Sequence, residues 1–481
     1  MSIGSTSIST SAGTAMRTVV VLGAAYGGAH AAQMLGASLP ANYRVLVVDR
    51  NSHMNHVYVF PRFITVPRLA PKGFIPYYNM FAYPPLDFSK PKEEVDKEIA
   101  ERAKAAKSLP TPPATRDGSP EPDTRHEFIQ ANVVSLSKNS LTILKPDAEG
   151  SYDGVKDDGS DAPSDRLCTI DFDYCIYALG AGLPAPCDVW GEYGRTQLPG
   201  RGTKAGGLNW MNTRGELLAK AERIVLVGAG ALGIQFATDL KDLYPSKEVT
   251  LLHSRTRVLP RYPQEMHDEV IKGLERAGVQ VVLGERVTEW PENPDVLGEP
   301  KVVRTDKGSE FTADLVLACT GQKPHVDLVR GLGDVIADTG RIRVKPTTQI
   351  QVGPISEEPK SDSISAAVEK LSLEPSETLD HIFAVGDCAD TTAIQAGHTA
   401  YWQGEVAVRN LLRLVKAREG EDLEELETYA PGAPAIKVTL GLKHYVIANA
   451  DGVKPGDDGV EDLQARLMWP TFNAGEFDDD A

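Results

Sequence analysis

Cysteine is scarce in this 481-residue chain, and long apolar runs are missing. The five cysteines form no C-x-x-C or C-x-x-x-x-C pair; they are Cys168, Cys175, Cys187, Cys319 and Cys388. This spacing argues against a disulfide framework and favours a reducing compartment. No stretch reaches the ~20 apolar residues of a membrane-spanning helix. Ser2 stands where N-myristoylation requires glycine. We therefore expect a cytoplasmic protein with no transmembrane segment.

Positive charge is also in deficit. The formal net charge is −17 at pH 7, which argues against nucleic acid and against an anionic membrane surface as partners. Hydrophobic residues make up 41% of the chain and charged residues 24%, as in ordinary globular proteins, and the length allows two or three domains. His53 and His56 are three positions apart with no third ligand nearby, so no metal site is predicted.

The most informative stretch is TVVVLGAAYGGAHAAQMLGASLPANYRVLVVD, residues 18–49, which we call the first unit. Short apolar runs predict buried parallel strands at 19–22 and 43–48, with a helix to about residue 37 between them. The turn Gly23-Ala24-Ala25-Tyr26-Gly27-Gly28 joins the first strand to the helix. The pattern G-x-G-x-x-G appears there as Gly23, Ala25 and Gly28. Strand, turn, helix and strand together predict a dinucleotide-binding unit.

Each part of the first unit has a physical role in this prediction. Gly23 allows the tight turn, and Gly28 lets the helix pack closely on the strand. The helix N-terminus presents free N–H groups and its positive dipole end to a pyrophosphate. Asp49, at the end of the second strand, accepts hydrogen bonds from a ribose hydroxyl. Ala25 is a departure, because it adds a methyl group where the pyrophosphate approaches the backbone.

The same arrangement returns between residues 223 and 253, which we call the second unit. It carries the full glycine set, Gly228, Gly230 and Gly233, followed by a helix and a second strand at 248–252. The second unit ends in His253-Ser254-Arg255 instead of an acid. An acid would repel a 2′-phosphate, whereas Ser254 and Arg255 can bind one. The sequence thus predicts two copies of one nucleotide-binding unit, and use of NADPH and NADH with a preference for NADPH.

Three further strand ends carry small residues. The predicted strand at 172–178 ends before Gly180, and the strand at 315–318 ends before Gly321, so each allows backbone to pass close to a nucleotide. The apolar run at 381–385 stops on Gly386-Asp387, whose carboxylate can accept bonds from ribityl hydroxyls. A helix resumes near Gln395.

In this order, the motifs resemble the FAD/NAD(P)H pyridine nucleotide-disulfide oxidoreductase superfamily. More narrowly, the chain is similar to the apoptosis-inducing-factor-like branch that includes the ferroptosis suppressor protein. The resemblance extends from about residue 17 to residue 412, and its most specific stretches are EVTLLHS, TDKGSEFTADLVLACTG and FAVGDCAD. The chain departs from the branch at Ala25, in the missing myristoylation signal and in three long acidic insertions.

The resemblance implies an α/β fold with two Rossmann-like, glutathione-reductase-type nucleotide-binding domains and a small C-terminal α+β region. The FAD-binding domain would comprise residues 17–200 and 335–418, and the NAD(P)H-binding domain residues 201–334. Residues 1–16 would be a disordered leader, and 419–481 the C-terminal region. Arg62 falls where the family places an FAD-contacting arginine, and Val133 lies near its backbone contact to adenine.

The function implied is hydride transfer from NAD(P)H to FAD, and then electron transfer to a small-molecule, quinone-like acceptor. Since the flavin carries the chemistry, no catalytic side chain is nominated. The helix near Gln395 would direct its N-terminus at the flavin. Gln395 and His398 are the nearest candidates to influence the acceptor, and a purely structural role for each stays open. Two alternatives stay open: a flavin oxidase or dehydrogenase of a small aromatic biosynthetic intermediate, and an NAD(P)H-sensing interaction protein. A homodimer also stays open.

Overall fold

The structure is a computed structural model that describes residues 16–87, 90–106, 125–192, 199–353 and 379–474. Within these ranges the helices are α1 Tyr26–Ser38, α2 Phe60–Thr65, α3 Lys92–Ala106, α4 Lys204–Lys220, α5 Ala231–Leu243, α6 Gln264–Ala277 and α7 Gly397–Arg418. The strands are β1 Arg17–Leu22, β2 Tyr43–Asp49, β3 His53–Asn55, β4 Phe74–Pro76, β5 Glu127–Gln130, β6 Asn132–Leu136, β7 Ser140–Leu144, β8 Leu167–Asp171, β9 Tyr174–Tyr177, β10 Ala181–Gly182, β11 Arg223–Val227, β12 Glu248–His253, β13 Gln280–Leu283, β14 Val287–Glu289, β15 Lys301–Thr305, β16 Glu310–Ala313, β17 Leu315–Ala318, β18 Lys323–Pro324, β19 Ile342–Arg343, β20 Gln349–Ile350, β21 Leu379–Ala384, β22 Ala389–Asp390, β23 Ile436–Thr439, β24 His444–Asn449 and β25 Gly452–Asp457.

The first sheet has six strands in the order β20-β21-β9-β1-β2-β5. Its central strands pair in parallel, and β20 adds antiparallel at one edge. The apolar run of β1 is buried on both faces. Val19 and Val21 pack in one cluster with residues of α1 and α7, whereas Val20 and Leu22 pack in another with residues of β6 and β7. This two-sided burial is why the run is continuous rather than alternating.

The second sheet repeats this plan with four parallel strands in the order β13-β12-β11-β17. Residues of α5 and α6 pack on one side in the largest core cluster. On the other side, Val225 and Leu252 pack with Val303 and Phe311 of the antiparallel sheet β14-β15-β16. Both sheets thus combine parallel strands, helices and a small antiparallel sheet. The α/β fold with two Rossmann-like sheets is confirmed.

The chain crosses between the sheets at a short antiparallel ladder formed by β10 and β18, in which Ala181 pairs with Pro324. The N–H of His325 also donates to the carbonyl oxygen of Gly180 at 3.0 Å. The first sheet is therefore discontinuous in sequence, because β20 and β21 join it after the second sheet is complete.

Several predicted elements differ in detail. The single strand expected at 128–134 is two strands, β5 and β6, and the strand expected at 172–178 is the shorter β9. The tail stretch KVTLGLKHYVIAN forms β23 and β24 of a three-stranded antiparallel sheet. In the described ranges, no helix is both long and apolar enough to cross a membrane. The predicted leader lies almost wholly outside the described residues, and so does the acidic insertion at 355–379.

A buried ion pair joins α2 and α5 to the C-terminal region. Arg62 on α2 makes a bidentate contact with Asp239 on α5, with Nε–Oδ2 and Nη2–Oδ1 distances of 2.7 and 2.8 Å. The two residues are 1% and 0% exposed. The guanidinium also donates to the carbonyl oxygens of Gly441 and Glu461 at 2.8 and 3.1 Å. Three separate chain segments therefore meet at one arginine.

The buried pair gives a stability prediction. Arg62→Met leaves the Asp239 carboxylate buried without a cation, so we expect the free energy of unfolding to fall by about 3–5 kcal/mol. The double variant Arg62→Met/Asp239→Leu removes both charges and should recover much of that loss. Urea unfolding measures both. The control Arg304→Ala breaks largely exposed pairs with Glu289 and Glu310 and should leave the midpoint of unfolding nearly unchanged. A double variant as unstable as the single one would contradict the prediction.

Candidate functional site

The glycine turn of the first unit is held by backbone contacts that exclude side chains. Gly23 has φ +88°, and a Cβ built on it would lie 2.5 Å from the carbonyl oxygen of Ala178, after β9. A Cβ on Gly28 would lie 1.9 Å from the carbonyl oxygen of Gly23. Real Cβ contacts are essentially never this short, so any larger residue would force β1, α1 and β9 apart.

The second unit reproduces these contacts. A Cβ on Gly228 would lie 2.7 Å from the carbonyl oxygen of Cys319, and a Cβ on Gly233 would lie 2.0 Å from that of Gly228. Gly228 has φ +113°. The two predicted nucleotide-binding turns therefore have the same geometry, and each approaches the end of the neighbouring parallel strand, β9 or β17.

The middle positions of the two glycine sets face open space. Gly230 is the N-cap residue of α5, and nothing lies within 4 Å of a Cβ built there. Ala25 is the exposed N-cap residue of α1. Neither helix has a side-chain cap. Their first N–H groups therefore receive no side-chain cap bond, which is the arrangement that binds phosphate.

The last residue of the second strand is bonded to the turn in both units. The N–H of Ala24 donates to Asp49 Oδ2 at 2.8 Å, while Asp49 Oδ1 accepts from the N–H of Asn51 at 2.8 Å. At the equivalent place the N–H of Ala229 donates to His253 Nδ1 at 3.2 Å. Burial raises the pKa of Asp49. The acid of one unit is thus replaced by an imidazole in the other.

Protonation of His253 follows from this contact. Burial, and then the charge of Arg255, lower the pKa of His253, so the ring is neutral at pH 7. Nδ1 accepts the bond from Ala229, and the proton of the neutral ring is therefore on Nε2. Nε2 is buried and has no hydrogen-bond partner among the described residues.

Gly386 and Asp387 lie at the end of β21, as the sequence predicts. The N–H of Gly386 donates to Gln403 Oε1 on α7 at 2.7 Å. In the described part of the chain, no group donates a hydrogen bond to the Asp387 carboxylate, although the residue is partly buried. Burial raises the pKa of Asp387, and the charge of Arg341 opposes this. A partly buried carboxylate without donors fits a ligand that brings hydroxyl groups, such as a ribityl chain.

The N-termini of α1 and α7 converge beside Asp387. A Cβ on Gly27 would lie 2.6 Å from the carbonyl oxygen of Ala400, and one on Gly397 would lie 2.8 Å from the Tyr26 ring. Burial raises the pKa of Tyr26, and the Asp387 charge raises it further. The Tyr26 hydroxyl lies 2.8 Å from His56 Nδ1. The three predicted flavin-contacting segments are therefore neighbours, and the residues present fit FAD.

One predicted residue needs revision. Arg62 is wrong as an FAD-contacting residue, because its guanidinium is buried against Asp239 and backbone carbonyls. Val133 is buried on β6, opposite Ile143, and its predicted closeness to the backbone contact with adenine stays a prediction. Just before β6, the N–H of Ala131 donates to the carbonyl oxygen of Asp49 at 2.9 Å.

The other predicted positions lie at the edges of this site. Gly180 and Gly321 occupy matching turns after β9 and β17, with φ +65° and +56°. Gln395 is partly buried just before α7, and His398 is exposed in its first turn. Ser254 and Arg255 are exposed at the end of β12.

Two residues at the site had no sequence signal. Arg341 donates to the carbonyl oxygen of Asp387 at 3.2 Å. Thr399, in the first turn of α7, has a buried hydroxyl without a partner among the described residues. His53 and His56 bond to Ser52, Asn55 and Tyr26 rather than to each other. Within the described ranges no group of three or more potential metal ligands converges.

Comparison with known proteins agrees with this geometry. The sequence profile of the family described as pyridine nucleotide-disulphide oxidoreductase matches residues 17–356. Fe-regulated protein 8 of Mycosarcoma maydis is 34% identical over 456 residues, which cover 94% of each protein. Ferroptosis suppressor protein 1 of Homo sapiens is 31% identical over 225 residues, 45% of this chain and 51% of that protein.

A solved structure shows the same fold. A pyridine nucleotide-disulfide family oxidoreductase from Enterococcus faecalis V583 superposes with a TM-score of 0.52 at 15% identity, covering 90% of this chain and 74% of the other. The predicted resemblance is confirmed, and the predicted cofactors, FAD and NAD(P)H, are those of the family. The chain belongs to the pyridine nucleotide-disulphide oxidoreductase family.

Proposed function

We propose that this protein takes a hydride from NAD(P)H on bound FAD and passes the electrons to a small, quinone-like acceptor. The observation that carries the proposal is the pair of matching glycine turns together with the unpartnered Asp387 carboxylate. One turn with an acid and one without it suit two different dinucleotides in one chain. The quinone-like acceptor rests on the resemblance to the apoptosis-inducing-factor-like branch.

The strand order of the two sheets supports the assignment of the two cofactors to different parts of the chain. We assign FAD to residues 17–200 and 335–418, since β1, β2 and β9 share a sheet with β21. We assign NAD(P)H to residues 201–334, which contain the second sheet. We assign residues 419–481 to a C-terminal region, whose described part contacts α5 of the second sheet and the core of the first sheet.

The residues of the first unit would hold FAD from end to end. The N–H groups at the start of α1 would face the pyrophosphate, and Asp49 would accept from the adenosine ribose. Asp387 would accept from the ribityl hydroxyls. The N-terminus of α7 has no side-chain cap, so its positive dipole end favours negative charge near Gly397.

Bound flavin supplies the redox chemistry by accepting a hydride from the reduced nicotinamide and releasing the electrons in a second step. The chain's own contribution is to hold the two cofactors and to stabilise charge. All five cysteines lie in the described residues as free thiols, and four of them are buried. Their spacing in the sequence provides no redox-active pair of cysteines. This favours electron transfer from the flavin straight to a small-molecule acceptor over reduction of a disulfide substrate.

Asp387 tests the FAD assignment. Asp387→Ala removes the acceptor for the ribityl hydroxyls, and hydrogen bonds to a charged group are worth enough to weaken FAD binding by about 10–100-fold. Flavin fluorescence titration of apoprotein measures the change. The control is Asp390→Ala, three residues after Asp387, which removes a carboxylate that accepts a hydrogen bond from the Thr339 hydroxyl. Equal weakening in both variants would contradict a direct role for Asp387, and purified protein that takes up no FAD would contradict the whole assignment.

Arg255 tests the nicotinamide preference. Arg255→Ala removes a cation suited to a 2′-phosphate, so the KM for NADPH should rise about 10–100-fold while the KM for NADH stays nearly unchanged. Stopped-flow reduction of the flavin and steady-state turnover measure both. Arg276→Ala is the matched control, because it removes an exposed arginine at the end of α6. A wild-type preference for NADH would contradict the proposed role of Ser254 and Arg255 in binding the 2′-phosphate.

The acceptor is tested by re-oxidation of the reduced protein. Naphthoquinones and ubiquinone analogues should re-oxidise the NADPH-reduced flavin well above the rate with oxygen. Absorbance of the flavin, followed after rapid mixing, measures each rate. No acceleration with any quinone would remove the quinone part of the proposal and favour oxidation of a small aromatic metabolite instead. A long-lived reduced complex with every acceptor would favour a sensor.

A further inference from the structure

The end of the second unit is bordered by a hairpin that the dinucleotide motif does not include. The hairpin is formed by β15 and β16, and its turn is Asp306-Lys307-Gly308. The N–H of Asp306 donates to the carbonyl oxygen of Arg286 at 2.9 Å, and the N–H of Arg286 donates to Asp306 Oδ1 at 3.0 Å. Two hydrogen bonds therefore fix this turn to the segment that follows β13.

That segment is bonded in turn to the end of β12. The N–H of Gly284 donates to the carbonyl oxygen of Arg255 at 2.9 Å, and the N–H of Glu285 donates to that of His253 at 3.1 Å. The hairpin turn and the His253-Ser254-Arg255 turn are thus both bonded to residues 284–286. Four backbone-anchored contacts set their separation.

The side chain of Lys307 extends over this junction. Its Nζ lies 3.6 Å from the point that a Cβ on Gly284 would occupy, and Thr256 Cγ2 lies 3.3 Å from the same point. The absence of a side chain at Gly284 leaves room for the lysine. The ammonium group therefore lies beside the turn that carries Ser254 and Arg255.

Hydrogen-bond donors without partners gather here. Across the described residues, the side chains of Ser254, Arg255 and Lys307 make no hydrogen bond or ion pair, and all three are exposed. His253 Nε2 also lacks a partner, but it is buried and therefore not presented to a ligand.

The acids of the same region accept hydrogen bonds from neutral groups of the protein. Glu285 Oε2 accepts from the Thr305 hydroxyl at 2.8 Å, and Asp306 Oδ1 accepts from the N–H of Arg286. Neither acid is paired with Arg255 or Lys307, so these two cations and the Ser254 hydroxyl remain for a ligand. A phosphomonoester carries a charge of about −1.5 to −2 at pH 7 and three acceptor oxygens, so it can use more than one cation.

We infer that Lys307 is a specificity-determining residue for the 2′-phosphate of the nicotinamide dinucleotide, acting together with Ser254 and Arg255. The inference rests on the proposed binding of NAD(P)H by the second unit. It adds a cation from the β15–β16 hairpin to those that follow β12. Because the chain carries a net charge of −17, a second local cation offsets long-range repulsion of the anionic cofactor.

The test uses adenosine 2′,5′-bisphosphate and 5′-AMP, two ligands that differ only in the 2′-phosphate. Calorimetric titration of FAD-loaded protein at fixed ionic strength gives both dissociation constants without turnover. Wild-type protein should bind the bisphosphate at least about 10-fold more tightly. Lys307→Ala should weaken the bisphosphate about 5–20-fold and leave 5′-AMP nearly unchanged, and Lys307→Arg should retain most of the affinity.

Two further variants sharpen the result. Lys443→Ala removes an exposed lysine from the turn between β23 and β24, so it changes net charge equally and should change neither affinity. His253→Asp places the acid of the first unit in the second and should abolish discrimination for the 2′-phosphate. The flavin spectrum and melting temperature of each variant report on folding.

The outcomes separate this inference from the proposed cofactor preference. If wild-type protein binds both ligands equally, the NADPH preference fails, and the role of Lys307 fails with it. If Arg255→Ala weakens the bisphosphate selectively but Lys307→Ala does not, the preference stands and the hairpin has no part in it. Equal weakening of both ligands by Lys307→Ala would also overturn the inference.

Discussion

The close approach between a glycine turn and the end of a neighbouring parallel strand is the constraint on which this structure depends. In each unit the chain leaves a buried strand, turns within a few residues and enters a helix whose first N–H groups receive no side-chain cap. Gly23 and Gly228 make the turn possible because a Cβ would collide with Ala178 or Cys319. This contact ties the binding turn to the sheet core, so rigidity at the turn follows from packing rather than from the ligand.

The C-terminal region and the buried Arg62–Asp239 pair hold the two sheets in one arrangement. The described part of the C-terminal region packs beside both, since the N–H of Leu442 donates to Asp242 on α5 at 2.8 Å, and Trp469 lies in the same core cluster as Val19 and Val21 of β1. Arg62 lies where α2, α5 and this region meet. Its charge is costly to bury, and four of its five N–H donors are matched by a bidentate carboxylate and two carbonyls. Such a pair favours one relative placement of the helices over slightly shifted alternatives.

The sequence was sufficient for the features that depend on local patterns. Buried parallel strands read as continuous apolar runs, and the glycine spacing located both turns, Asp49 and the Gly386-Asp387 strand end. It failed where the contact is made between distant segments. Nothing near Arg62 in the sequence shows that Asp239 lies opposite it. An arginine that is buried against a carboxylate cannot be distinguished by local sequence from an arginine that binds phosphate. The role of Lys307 was not predicted for a related reason, because the position of this lysine depends on backbone hydrogen bonds between three turns. The division of the 128–134 run into β5 and β6 depends on which sheet each half joins.

Two near-identical binding turns in one chain also create a sorting problem, because FAD and a nicotinamide dinucleotide share an adenosine and a pyrophosphate. On the proposed assignments, the atom that accepts the hydrogen bond from the N–H of Ala24 or Ala229 helps each turn to distinguish the two cofactors. A carboxylate at Asp49 repels any cofactor with a 2′-phosphate, and the imidazole of His253 gives up the fixed anion that the other turn uses to hold an unmodified ribose. On these assignments the Asp49 carboxylate disfavours NADPH at the flavin position, whereas NADH, which lacks a 2′-phosphate, must be kept out by the rest of the FAD site.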